Sequence, residues 1–229
     1  MQKHFLEEMH TLKSNIIQMS QLVDNQTELA MMALESGDMD LCQKVKQRDK
    51  EVDAYDNLIR CECENILALF QPVAYDLRYV IACLLVNSNL ERCGDIAVNI
   101  TKRVKKTVTY HDLLKEFPFY DMAKDVRLMV KESIDAFITE NTTLARKVLE
   151  DDQKVDELNK TIFKQLIQKM QTSAELIEPC AHLLVLSRNL ERLADHATNI
   201  AKEVVFAAEA KILSHSKNKN AGQTAGEEK

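Results

Sequence analysis

Asn-Leu-Glu-Arg-Cys-Gly-Asp-Ile-Ala-Val-Asn-Ile occupies positions 89–100, and Asn-Leu-Glu-Arg-Leu-Ala-Asp-His-Ala-Thr-Asn-Ile occupies positions 189–200. Eight of the twelve residues are identical, and the shared set mixes core-type side chains with Asn, Glu, Arg and Asp. A repeated core would need only the apolar letters. The repeat extends upstream, where Lys44-Val45, Asp49 and Val52-Asp53 recur 103 positions later as Lys147-Val148, Asp152 and Val155-Asp156. Two copies of one structural unit follow.

Helix breaks fall at Ser36-Gly37-Asp38, Gln71-Pro72, His111 to Pro118, Thr139 to Asn141 and Thr172-Ser173. They delimit six long helices, three in each copy. Four Gly and three Pro with no Trp leave few turn-makers for hairpins of strands, so the chain reads as all-α. Short connections make sequential helices antiparallel. The expectation is a tandem repeat of two antiparallel three-helix bundles, residues 1–112 and 113–213, followed by a disordered polar tail at 214–229 that lacks apolar periodicity.

Composition narrows the function. A formal charge of −6 argues against nucleic-acid binding. The one basic run, Lys102-Arg103-Val104-Lys105-Lys106, suits the negative end of a helix dipole. No apolar run approaches a membrane span and the N-terminus has no signal-peptide core, so a cytoplasmic protein is expected. The six cysteines lack metal or redox spacing and read as free, mostly buried thiols.

The repeated polar letters are the candidate site. Glu91 and Asp95, like Glu191 and Asp195, lie one helical turn apart, with Asn99 or Asn199 extending each row. Asp49 with Asp53, and Asp152 with Asp156, repeat the spacing on the preceding helix. Acids four apart are expected about five times by chance in a chain this acidic, so register must carry the argument. With a turn near 71, Asp53 lies 18 residues before it and Glu91 20 after; Asp49 lies 22 before and Asp95 24 after. Those levels match within about 3 Å in an antiparallel hairpin. With a second turn near 173, Asp156 and Glu191 lie 17 before and 18 after, and Asp152 and Asp195 lie 21 before and 22 after.

Four carboxylates at one level must be partly protonated or bridged by cations. An all-oxygen set suits divalent or trivalent ions, Fe, Mn or Mg, with Ca, ahead of structural Zn. The competing reading is a surface salt-bridge network with Arg92, Arg192, Lys102 and Lys202. Leu90, Cys93, Ala97, Ile100 and Val104 form the apolar stripe of the third helix, as Leu190, Leu193, Ala197, Ile200 and Val204 do in the sixth, and the acids face away from it. The site is therefore expected to be an open patch, equivalent in the two copies, better suited to binding than to catalysis. His182 and His196 stand near the second acid set as further candidate ligands. Glu7 with His10 is the lone Glu-x-x-His pair, where a buried di-iron bundle would want two.

With Gln-Pro-Val-Ala-Tyr-Asp-Leu-Arg-Tyr-Val at 71–80, the twelve residues from Asn89, and the run from Leu186 to Phe206, the chain resembles the PhoU family of bacterial phosphate-signalling regulators over roughly residues 5–212. The resemblance implies two tandem three-helix bundles. It also implies surface metal clusters on Asp49, Asp53, Glu91 and Asp95 and on Asp152, Asp156, Glu191 and Asp195. The implied partners are the ATPase of the phosphate ABC transporter and its sensor histidine kinase, with a homodimer as the expected assembly and restraint of phosphate uptake as the outcome. A carboxylate-bridged metalloenzyme and a purely structural helical repeat are the alternatives.

Overall fold

Two helices begin alike: the Oδ1 of Asp38 accepts from the backbone N–H groups of Asp40, at 2.7 Å, and Leu41, at 3.4 Å. The Oδ1 of Asn141, 103 residues on, accepts from Leu144 N–H at 3.0 Å. Each cap satisfies donors that a helix start leaves without partners. The residue before each cap is left-handed, Gly37 in the first copy and Glu140 in the second. In the computed structural model, which describes residues 2–213, seven α-helices follow one another. These are α1 (Gln2–Ser36), α2 (Met39–Phe70), α3 (Ala74–Thr107), α4 (His111–Lys115), α5 (Phe119–Ile138), α6 (Thr142–Met170) and α7 (Ile177–Glu209). The six long helices and their breaks are those expected. The difference is α4, a five-residue helix inside the junction, seated by buried Leu113 and Leu114. The tail expected at 214–229 lies outside the described residues.

Antiparallel pairing within the first repeat can be read from polar contacts. Cys42 Sγ lies 3.8 Å from the carbonyl of Thr101 and Cys63 Sγ 3.8 Å from that of Val80, so 21 residues up α2 match 21 residues down α3. Asn87 Nδ2 falls on the same register, donating to Asp56 Oδ1 at 2.7 Å and to its carbonyl at 3.1 Å. In the second repeat Ser187 donates to Asn159 at the equivalent positions, setting α7 against α6 in the same register.

The repeats themselves meet through α3 and α7. His196 Nδ1 lies 2.9 Å from Asn89 Oδ1, and Arg78 Nε donates to the carbonyl of Ala207 at 3.4 Å. Eleven residues back along α3 thus correspond to eleven forward along α7, and the helices run antiparallel about a point near Arg92 and Arg192. A second contact, between α1 and α5, joins Arg127 to Asp24 at 2.6 Å. These two positions are also 103 apart. The repeats therefore face each other across a pseudo-two-fold axis.

This packing widens the buried face of the central helices. The predicted stripe of α3 is buried, but so are Val86, Gly94, Ile96, Val98 and Thr101, because α1, α2 and α7 all pack against it. Each of Leu90, Ile100, Leu190 and Ile200 is fully buried, a contribution of about 1.5–3 kcal/mol apiece relative to exposure. All six cysteines are free, five of them buried and Cys61 exposed. Among the described residues no helix is long and apolar enough to cross a membrane.

Candidate functional site

On the register set by Asp56 and Asn87, Asp49 lies level with Gly94 and Asp53 level with Leu90, one residue from the predicted partners Asp95 and Glu91. Gly94 leaves room for a side chain from a third helix. A Cβ there would stand 2.9 Å from Gln26 Oε1, 3.4 Å from Val52 Cγ1 and 3.6 Å from Asp49 Oδ1. Gln26, on α1, is fully buried, and its Nε2 donates to the Val45 carbonyl at 3.2 Å and to Asp49 Oδ1 at 3.1 Å. Its Oε1 is buried without a hydrogen-bond partner.

Electrostatics show that the four acids of this hairpin share one field. Burial pushes the Asp49 carboxyl above its ordinary pKa; the Gln26 bond opposes that, and Asp53 and Asp95 add to it. Burial also raises Glu91, with Asp95, Asp56 and Asp53 pushing the same way and Arg92 opposing. Each helix thus feels the charge of the other. Arg92 supplies the countercharge, with Nε 3.4 Å from Glu91 and Nη1 3.3 Å from Asp95. Asn99 accepts from Lys102 Nζ at 3.0 Å. Among the described residues no three Asp, Glu, His or Cys side chains close into a coordination shell, so the cluster is a loose one. Its donor set, carboxylate oxygens beside a buried amide oxygen, fits a hard cation.

The second hairpin keeps the acids but not their surroundings. Glu191 is 5% exposed, where an open patch was expected, and Arg188 Nη1 holds its Oε1. The first-repeat counterpart of Arg188 is Ser88. Ala194 stands for Gly94, and buried Met129 stands for Gln26. Asp152, Asp156 and Asp195 are half-buried. Asn199 accepts from Lys202 as Asn99 does from Lys102. His196 faces the other repeat through Asn89, and burial with the nearby Arg192 and Arg92 lowers its pKa against the pull of Asp195. His182 sits 3.9 Å from Glu178, nine residues before Glu191. Glu7 and His10 lie on the exposed first turns of α1.

Sequence reasoning passed over Gln26, Asp56 and Asn87. Asp56 and Asn87 were within reach, because Asn159 and Ser187 keep those positions polar in the second copy on otherwise apolar faces. Gln26 carried no such signal, since its equivalent is Met129.

The PhoU domain family matches residues 16–104 and again residues 119–204. The chain belongs to the PhoU family. It is 34% identical over 206 residues to the phosphate-specific transport system accessory protein PhoU homolog of Caulobacter vibrioides, with 89% of each chain covered. The homolog of the same name from Zymomonas mobilis is 35% identical over 214 residues, covering 92% of this chain and 89% of its own. Among solved structures, PhoU from Pseudomonas aeruginosa superimposes with a TM-score of 0.84 at 30% identity, covering 90% of this chain and all of that one. The phosphate transport system regulatory protein PhoU from Streptococcus pneumoniae does so with a TM-score of 0.79 at 25% identity, covering 92% and 99%.

Proposed function

We propose that this PhoU-family protein is a non-enzymatic cytoplasmic regulator that restrains phosphate uptake and the phosphate-starvation response. In this reading it acts, as a homodimer, with the ATPase of a phosphate ABC transporter and the sensor histidine kinase coupled to it. The observation that carries the reading is the match of both repeats to one family, whose relatives are named accessory or regulatory proteins of phosphate transport. Two features of the site support a cation in the first hairpin, held by Asp49, Asp53, Glu91 and Asp95. Those carboxylates repel one another across α2 and α3, and a buried amide oxygen lies beside them. A bound Fe, Mn or Mg ion supplies charge compensation there. In the second hairpin Asp152, Asp156, Glu191 and Asp195 are the corresponding ligands, with Arg188 competing for Glu191.

The test is a reporter of phosphate-starvation genes in a strain lacking the protein, grown in high phosphate. The reporter should be switched on without the protein and silenced by the parent chain. A variant carrying Asp49→Asn, Asp53→Asn, Glu91→Gln and Asp95→Asn, at equal abundance, should silence it only in part. A reporter that stays silent in the deletion strain would sink the regulatory reading.

A further inference from the structure

Beyond Lys102, which faces the first acid set, the basic run that ends α3 is not used by the acid sites, and its surroundings are unlike those of its repeat mate. Lys105 lies near enough to the start of α2 to act on Cys42 together with Asp38. Gly37, in the α1/α2 turn, packs beside Val108 and His111. The turn, the first turns of α2 and the end of α3 therefore form one end of the first repeat. Lys44 and Lys46 flank buried Val45 on opposite sides of α2, Lys102, Arg103, Lys105 and Lys106 lie along the last turns of α3, and Glu35, Asp38, Asp40 and Asp112 are the acids of this end. Among the described residues none of these six cations forms an ion pair.

The matching end of the second repeat is built otherwise. The equivalents of those six are Lys147, Leu149, Lys202, Glu203, Val205 and Phe206. Lys147 is neutralised by Glu132 at 2.6 Å and Asp151 at 3.2 Å, and Val205 is fully buried. Duplication alone does not account for the basic end, and in a chain of charge −6 it stands out.

Exposed apolar groups lie among the cations: Met39 is 38% exposed, Val108 42% and Tyr110 41%. Lysines around an exposed tyrosine and aliphatic side chains match the two layers of a bilayer surface. The ammonium groups meet the anionic headgroups, while the ring and methyl groups enter the interface beneath. An acidic protein surface is the competing occupant, and the vesicle experiment separates it from a bilayer. We infer that this end of the first repeat docks on an anionic phospholipid surface. The acidic remainder of the chain is repelled by such a surface, so the basic end is the part turned toward it, with the α6/α7 turn of the second repeat alongside.

Co-sedimentation with phosphatidylcholine vesicles, with and without phosphatidylglycerol, tests the inference, with chelator present throughout so that the acid clusters cannot bridge through cations. The parent chain should bind only the acidic vesicles, and salt should release it. The double variant Lys105→Glu with Lys106→Glu should lose at least tenfold in binding, whereas Lys124→Glu with Lys131→Glu, exposed lysines of α5, should not. Tyr110→Ser should weaken binding without a change in charge. Circular dichroism checks that each variant is folded. Absence of binding to acidic vesicles overturns the inference, as does binding indifferent to Lys105 and Lys106. So does a soluble polyacidic peptide that binds as tightly as the vesicles while Tyr110→Ser has no effect, which identifies an acidic protein surface instead.

Discussion

The hairpin of α2 and α3 and the hairpin of α6 and α7 carry the same acids at the same register and treat them differently. In the first, Glu91 is half-buried among like charges, and a glycine admits a buried glutamine that reaches Asp49. In the second, Glu191 is buried and held by an arginine that the first repeat lacks, and alanine with methionine fill the place of glycine with glutamine. Ligand identity is thus preserved while the neighbours that set charge and access diverge. Identical motifs do not make equivalent sites.

The sharpest way to break the contrast is to exchange the small residues. Gly94→Ala places a methyl group against Gln26, whose amide is pinned at both Val45 and Asp49, and should destabilise the fold by about 1–3 kcal/mol in urea unfolding. Adding Gln26→Met imports the second repeat's solution and should recover part of the loss. If Gly94→Ala costs nothing, the tight approach of α1 at this level is wrong.

A smaller effect separates the glutamates. Glu191→Gln removes the charge that holds Arg188, and because that guanidinium is largely exposed, the loss should be about 1 kcal/mol rather than that of a fully buried pair. Glu91→Gln should be neutral or slightly stabilising, since the fold already disfavours its ionised form. Equal losses at the two positions would erase the proposed distinction.

The smallest effect is a pH dependence. Asp49 and Glu91 have raised pKa values, so the folded chain holds their protons more tightly than the unfolded chain does. Their contribution to stability therefore grows as pH falls from neutral through the raised values toward the ordinary carboxylate range. The parent's urea midpoint should gain on that of an Asp49→Asn, Glu91→Gln variant between pH 7 and pH 5. Taking this difference cancels His196, whose lowered pKa costs stability over the same range. Manganese at pH 7 should raise the parent's midpoint more than the variant's. A constant difference between the two pH values counts against the shared field of the acids.

Helix number, hairpin register and the levels of the acids were legible because each depends on local spacing. Val45, Val52, Leu90 and Ile100 repeat with helical period, and caps at Asp38 and Asn141 mark the starts. The junction helix α4 was not legible, since five residues carry too little periodicity to separate from a turn. Nor was the burial of Val98, Ile96 and Glu191. These depend on α3 meeting α7 and on which residues flank each acid, and nothing in one helix's own sequence reports its distant neighbour. Gln26 was missed for the same reason: it acts across α1 on a position that its own spacing does not announce.

The pseudo-two-fold axis between α3 and α7 gives one polypeptide the geometry of a symmetric dimer whose protomers have been fused. In a true dimer of identical chains every substitution is made twice, so a glycine that opens one cleft opens both. Fusion releases that constraint. One half can keep a loose, repulsive set of carboxylates while the other locks its own against an arginine, and a lysine added at one end need not be matched at the far one. Such a molecule has a front and a back, and any partner it meets can tell them apart.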